Sequence, residues 1–263
     1  MIGRCFILLL ISAEAYAQTY TGTRFQAMGG TGTALQEIHS LTANPAGLTA
    51  LVHTTSHIAH RYHFVATDIT SQTALLGIPT SLGSFGILLH RYGLQNTYRE
   101  MQGGLAYAKS FGPRLSLAIK INAHQLAISN YGSTGAFSAD VGLQYSVLPE
   151  LLVGVHYLNV GGLNYDDRHG TIPSSIRLGA CYRLDKVIVT SDLKYNTTNP
   201  VSGAVGLEYA IVPILLMRGG LSFLPLAQHA GFGLIWGHMA FDMAASFHRY
   251  LGMSPQFGLS YAF

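Results

Sequence analysis

The 263-residue chain is apolar on average, with a mean hydropathy of +0.29, only 10% charged residues and a net charge of +3. After residue 12 no stretch approaches the ~18 consecutive apolar residues of a membrane helix. The charge is too mild and too evenly spread to indicate a nucleic-acid binder.

The N-terminus reads as an export leader. Arg4 supplies a positive start, residues 6–11 (FILLLI) form a short apolar region, and Ala15, Tyr16 and Ala17 make an A-x-A cleavage site. The expected signal peptide is 1–17, with the mature chain starting near Gln18. Cys5 precedes the apolar region, so Cys181 is the one cysteine expected in the mature chain, and it sits in a strand pattern. A disulfide scaffold is excluded.

Residues 18–52 do not follow a strand pattern. They are Gly-rich at first (Gly29, Gly30, Gly32), then amphipathic over 34–42, then NPAGL over 44–48. A small helix followed by a loop is expected there. Asn44 tolerates turn geometry and Pro45 fixes φ, so Asn44, Pro45 and Ala46 make a tight polar turn.

From residue 53 the chain becomes a series of period-2 segments separated by short breaks. In 115–124 the face Leu115, Leu117, Ile119, Ile121, Ala123 alternates with Ser116, Ala118, Lys120, Asn122, His124. The second face of most segments is Gly, Ala, Ser and single charges, which suits a crowded lumen better than open water. The segments expected are 53–64, 69–78, 82–92, 97–110, 113–128, 134–147, 150–159, 172–184, 187–197, 201–211, 214–223, 228–237, 239–250 and 255–263. Tight breaks alternate with longer ones, as periplasmic turns alternate with outer loops. The fold class is therefore all-β: a transmembrane antiparallel barrel of about 14 strands over 53–263, with 18–52 as a short helical plug. Twelve strands is the competing count.

The stretches AMGGTGTAL at 27–35 and NPAGL at 44–48 resemble the N-terminal segment of FadL-type long-chain fatty acid transporters, and more closely that of their PorV/PorQ-type relatives. The resemblance implies a 14-stranded bacterial outer-membrane barrel whose N-terminal hatch folds into the lumen, with Gly29, Gly30, Gly32, Asn44, Pro45 and Ala46 at the hatch turns. It implies one of two functions. The first is transport of small hydrophobic molecules across the outer membrane. The second is a non-transporting partner subunit of a type IX secretion or outer-membrane assembly complex. Outer loops shorter than those of the classical transporters favour the second. The expected partners are outer-membrane lipid, the barrel assembly machinery, and either a hydrophobic ligand or secretion-complex proteins. No cofactor is expected.

The candidate sites follow from the strand phase. Arg61, Lys120, Asp140, Arg177, Arg183, Asp192, Lys194, Glu208, Arg218 and Asp242 fall on inward faces, where they are expected to pair with one another or with the plug. Leu152, Ile188, Leu216 and Ile235 are the only large aliphatic residues expected to point inward. Gly103-Gly104 and Gly219-Gly220 mark strands able to kink and open the wall. His53, His57, His60 and His63 cluster on the first strand, but no compact ligand set accompanies them, so no metal site is expected. The Ser246/His248 and Ser56/His60 pairs lack a G-x-S-x-G elbow, and no enzyme is expected. Tyr62, Tyr92, Tyr98, Tyr107, Tyr145, Tyr157, Tyr182, Tyr195, Tyr209, Tyr250, Tyr261 and Trp236 are expected in interfacial girdles. Phe263, a terminal aromatic on an outward face, resembles the C-terminal signal read by the barrel assembly machinery.

Overall fold

A computed structural model gives the architecture and describes residues 20–65, 68–94, 97–165, 172–196, 201–249 and 251–263. The expected leader and Tyr250 lie outside the described residues. Fourteen antiparallel strands close into one barrel, each paired to its sequence neighbours and β1 paired to β14. They are β1 (Thr55–Tyr62), β2 (Ile69–Thr80), β3 (Gly83–Leu94), β4 (Tyr98–Phe111), β5 (Leu115–Ile128), β6 (Gly132–Ser146) and β7 (Leu151–Leu158). The second half is β8 (Ser175–Arg183), β9 (Val187–Asn196), β10 (Ser202–Val212), β11 (Leu215–Phe223), β12 (Ala227–Trp236), β13 (Met239–His248) and β14 (Gly252–Ala262). Sequential pairing and the β1–β14 seam close the sheet on itself, as a sheet in hydrocarbon must be closed, while residues 132–140 of β6 and 252–255 of β14 pair with one neighbouring strand only.

The alternation is inside-out relative to a soluble protein. In β5, Ser116, Ala118, Lys120 and Asn122 are buried, while Ile119 and Ile121 are more than half exposed. The same phase holds in β3, where Ser84, Leu88 and His90 face in and Phe85, Ile87 and Leu89 face out. A continuous apolar outer wall around a polar interior is how a barrel meets lipid.

The last strand starts earlier than its pattern indicates, at Gly252, with Pro255 inside it. Pro255 pairs with Ala245 of β13, and the pairing with β1 ends one residue on, at Gln256 and Arg61. An imino nitrogen is tolerated where the strand has a partner on one side only. Phe263 is 65% exposed beyond β14; its amide donates to Thr54 O at 2.9 Å and its ring packs on Tyr261.

Residues 20–51 lie inside the barrel. The helical segment expected over 34–42 is a 3₁₀ turn at Ile38–Thr42, joined by a second at Pro45–Ala50. The single α-turn of this segment, α1 (Thr23–Ala27), comes earlier than expected. Gly29 and Gly30 explain its end: both have φ near +80°, and the Gly30 amide donates to Phe25 O at 2.8 Å. This is a glycine C-cap, which satisfies carbonyls the short helix leaves open.

Tyr92 and Tyr98 do not join an outer girdle. Both lie on the inward phase of β3 and β4, with Tyr92 edge-on to His63 and to Tyr98. Tyr145, Tyr157, Tyr182, Tyr195, Tyr209, Tyr261 and Trp236 face outward. The inward aliphatic set is also larger than expected. Leu75, Leu88 and Leu126 are buried inside, as is Leu152, while Ile235 is exposed near the rim. Leu75 and Leu88 each lie in a run apolar on both faces (ALL at 74–76, ILL at 87–89), where period 2 cannot choose the inner residue.

Candidate functional site: the plug and its seat

The wall meets the plug through glycines at inward positions. A Cβ at Gly206 of β10 would lie 2.5 Å from Met28 O, and one at Gly231 of β12 would lie 2.6 Å from the Ala27 methyl. At Gly258 of β14 it would lie 2.6 Å from Thr23 Oγ1. At Gly220 of β11 it would collide with the backbone of Met28 and Gly29, at Gly154 of β7 with Thr33 O, and at Gly142 of β6 with Asn44 Oδ1. On β2 and β3, Gly77 and Gly86 receive Leu51, Ile38, Leu41 and Leu48 of the plug. Only a bare backbone allows this close approach. The strand pattern shows each glycine's phase, but not that the phase serves a plug.

Of the two glycine pairs read as kink sites, neither interrupts the ladder. Pairing runs without a register shift through Gly103–Gly104 on both sides and through Gly219–Gly220. Gly220 makes room for the plug, while Gly103 and Gly219 face outward into open space.

Asn44 is fully buried and acts as a joint. Its Nδ2 donates to Thr33 O at 2.8 Å, Leu143 O at 3.0 Å and Val155 O at 3.3 Å, while Oδ1 accepts from the Ala46 amide at 3.2 Å. Pro45 and Ala46 continue from it into the second 3₁₀ turn. Gly32 and Thr33 present their amides to Asp192 Oδ2 at 3.0 and 3.1 Å, and the Thr33 hydroxyl donates to the same oxygen at 2.7 Å.

Some of the inward charges pair with the plug and others with one another. Arg24 donates to both Glu208 oxygens, at 2.8 and 2.7 Å, and to Glu37 at 2.6 Å. Arg218 then bridges Glu208 at 2.6 Å and Asp242 at 2.5 Å. Across the lumen, Lys120 pairs with Asp140 at 3.0 Å and donates to Leu41 O at 3.2 Å. Arg24 and Glu37 are the plug's charged members of this network. Nothing in the strand phase singles them out, because the plug has no period.

Two apolar seats complete the fit. Ile38, Leu41, Ala46 and Leu48 pack on Leu75, Leu88, Ala106, Ala108 and Ala118 of β2–β5. Phe25, Met28, Ala34, Leu35 and Ala43 pack with Leu152, Cys181 and Ile188 of β7–β9. Cys181 is fully buried there as a small core residue. Past Tyr20, the lumen becomes polar. Tyr20 lies 5.2 Å from the His90 ring, His90 bonds Thr73 at 2.8 Å, and His63 bonds Ser71 at 2.8 Å. Arg61 Nε, His63 Nδ1 and His90 Nε2 are buried there with no hydrogen-bond partner.

The histidines of β1 separate as expected from phase. His57 and His63 are buried inside and His60 lies on the outer phase. Among the described residues no group of three or more His, Cys, Asp or Glu could hold a metal ion. Ser246 bonds His229 at 3.0 Å, not His248, and both contact Gln26 Nε2 of the plug, so the pair serves as a plug anchor.

Burial raises the Glu37 pKa, but Arg24 and His39 outweigh it and hold the carboxyl well below its usual range. A depressed pKa contributes stability that is present above the ordinary value near 4.5 and lost as pH falls below it, while the unseated carboxylate takes up a proton and the seated one does not. Protection of the plug from protease is therefore expected to be flat from pH 7 to about 5 and to decline in acid. Glu37→Gln should flatten that decline; an unchanged acid profile in the variant would assign it to other groups.

The fold and its filling define a class: a closed 14-stranded barrel stoppered by its own N-terminal segment. No protein-family model and no curated protein sequence matches the chain. Solved structures do match along nearly its whole length. The toluene transporter TodX of Pseudomonas putida is similar with a TM-score of 0.75 and 13% identity, over 93% of this chain and 99% of that one. The CymD monoaromatic hydrocarbon channel gives 0.71 and 14%, over 95% and 99%. A FadL homologue of Pseudomonas aeruginosa gives 0.67 and 11%, over 92% and 98%. The fold is thus the one shared by these two channels and the FadL homologue.

Proposed function

We propose that the chain is an outer-membrane channel of the FadL type, passing small hydrophobic molecules into the cell by displacement of its plug. The observation that carries this reading is the apolar lining under the plug. The strands are paired without a break at both glycine pairs, so neither pair opens the wall, and the plug stands in the way of a ligand moving down the lumen. A plug that swings away exposes Leu75, Leu88, Ala106, Ala108 and Ala118 on one side and Leu152 and Ile188 on the other. These make an apolar path beyond the polar cup around Arg61 and His90. Burying a small aromatic against such surface gains about 25 cal/mol per Å². The whole-length likeness to two hydrocarbon channels supports the same reading.

Cells carrying the chain should take up radiolabelled toluene or oleate several-fold faster than cells lacking it. Uptake unchanged for both probes, with a stoichiometric protein retained on purification from the native membrane, would overturn the channel reading. It would support the PorV/PorQ-type partner subunit instead.

A further inference from the structure

The polar cup beyond Tyr20 holds a charge with no counter-charge. Arg61 lies on the inward phase of β1, with Gln256 of β14 on one side of it in the ladder and Ser71 of β2, then Tyr92 of β3, on the other. Elsewhere in the lumen the cations have carboxylates: Arg24 and Arg218 share Glu208, and Lys120 pairs with Asp140. Among the described residues Arg61 has no such partner, and its Nε is buried without a hydrogen bond. The ionisable groups within electrostatic reach of it are Tyr20, Tyr92, His63, His90 and His229, none of them a carboxylate. A buried charge left unpaired is costly, so the cup is built for an anion.

Two more groups there lack a partner. His63, two residues along the same face of β1, bonds Ser71 through Nε2, and His90, across from Thr73 on β3, bonds Thr73 through Nδ1. The second nitrogen of each ring, His63 Nδ1 and His90 Nε2, is buried and unbonded. The rest of the cup is rings. Tyr92 stands edge-on to His63 at 5.2 Å and to Tyr98 at 6.2 Å, and Tyr20 leans on His90 at 5.2 Å.

The aliphatic surface below is already taken. Leu75 and Leu88, the next inward positions on β2 and β3, are buried under Ile38, Leu41 and Leu48 of the plug. While the plug is seated, a long acyl tail has no free surface to lie on, whereas a single ring fits among rings.

We infer that the cup binds a monocyclic aromatic carboxylate of the benzoate type, its carboxylate on Arg61 and its ring among Tyr20, Tyr92, His63 and His90. A guanidinium grips a carboxylate through two parallel N–H bonds, and aromatic rings meet one another edge to face. A neutral hydrocarbon would leave Arg61 as unpaired as before. The site deepens the channel reading and rests on it for its role, which is to hold a permeant before the plug moves.

The test is equilibrium dialysis of the purified full barrel in detergent against radiolabelled benzoate, with protein-free micelles as the blank. The wild type is expected to take up benzoate at a single saturable site. Unlabelled benzyl alcohol, which keeps the ring, and acetate, which keeps the charge, should each compete at least about tenfold more weakly than benzoate. Arg61→Met should lower benzoate affinity at least about tenfold, while Arg91→Met, on the outward face of β3, should leave it unchanged. Heat-modifiable migration on gels reports that each variant is folded, and the competition on the wild type depends on no variant. No saturable benzoate binding, equal competition by acetate or benzyl alcohol, or full affinity in folded Arg61→Met would overturn the site. Binding is read apart from uptake. Benzoate bound with no probe taken up would sink the channel and leave the site, and toluene uptake without benzoate binding would do the reverse.

Discussion

Gly220→Leu is expected to turn a closed barrel into a conducting one. A side chain at 220 points straight at the backbone of Met28 and Gly29, and backbone cannot step aside as a flexible side chain can. The plug is held there by its glycine C-cap, so it loses the seat as a unit. The barrel ladder does not depend on the glycine, because its pairs to Gly206 and His229 are made by main chain. In planar bilayers the wild type should be silent and Gly220→Leu should give discrete single-channel steps. A barrel of about 14 strands has an interior between the filled 8-stranded and the open 16-stranded types. Gly219→Leu, one residue away but facing outward, should stay silent. Silence in both would mean the lumen is blocked by something other than the plug.

Arg218→Leu is expected to have the largest effect on stability. The side chain is 2% exposed and links Glu208 to Asp242. Its removal leaves Asp242 buried and unpaired and strips one of two cations from Glu208. Breaking such a buried pair from one side costs about 3–5 kcal/mol. The urea midpoint in detergent should fall accordingly. Removing the negative charges as well, with Arg218→Met, Glu208→Gln and Asp242→Asn together, should recover most of the loss, because no uncompensated charge remains. A single-variant loss below about 1 kcal/mol would show that water reaches Asp242 and that this part of the lumen is not dry.

The barrel was legible in the sequence because one property, the period of two, is written into every strand. Boundaries agree to within about three residues, the largest offsets being the start of β8 and the start of β14. There Pro255 reads as a strand beginner, and only the one-sided pairing in the structure shows why it sits further in. The faces were legible wherever polar and apolar residues truly alternate. They were not at 74–76 and 87–89, where three apolar residues in a row hide which one enters the lumen.

The plug was legible as a departure from the pattern but not in its details. Asn44-Pro45-Ala46 was readable as a turn, and the structure makes it a buried joint to β6 and β7. Arg24 and Glu37 gave no sign, since a buried ion pair between an irregular segment and distant strands has no local signature. The wall glycines were read as hinges because glycine weakens a strand. Of their inward members, Gly220 receives the plug backbone, whereas Gly104 meets the side chains of Asn122, Leu88 and Lys120, so the role is set by what stands opposite.

In the proposed channel the plug is both the stopper and the moving part. A disulfide staple tests it most directly. A Cβ at Gly258 would lie 3.1 Å from Thr23 Cβ, a few tenths of an ångström inside the ~3.5–4.5 Å that a disulfide spans, so the pair is bridged once the plug and the His57 ring give by that much. Thr23→Cys with Gly258→Cys, in a Cys181→Ala background, pins the plug to β14. With the staple oxidised, uptake of radiolabelled toluene and oleate should fall to the level of cells without the barrel, and reduction should restore it. Undiminished uptake through a fully oxidised staple would contradict the account and place the path elsewhere.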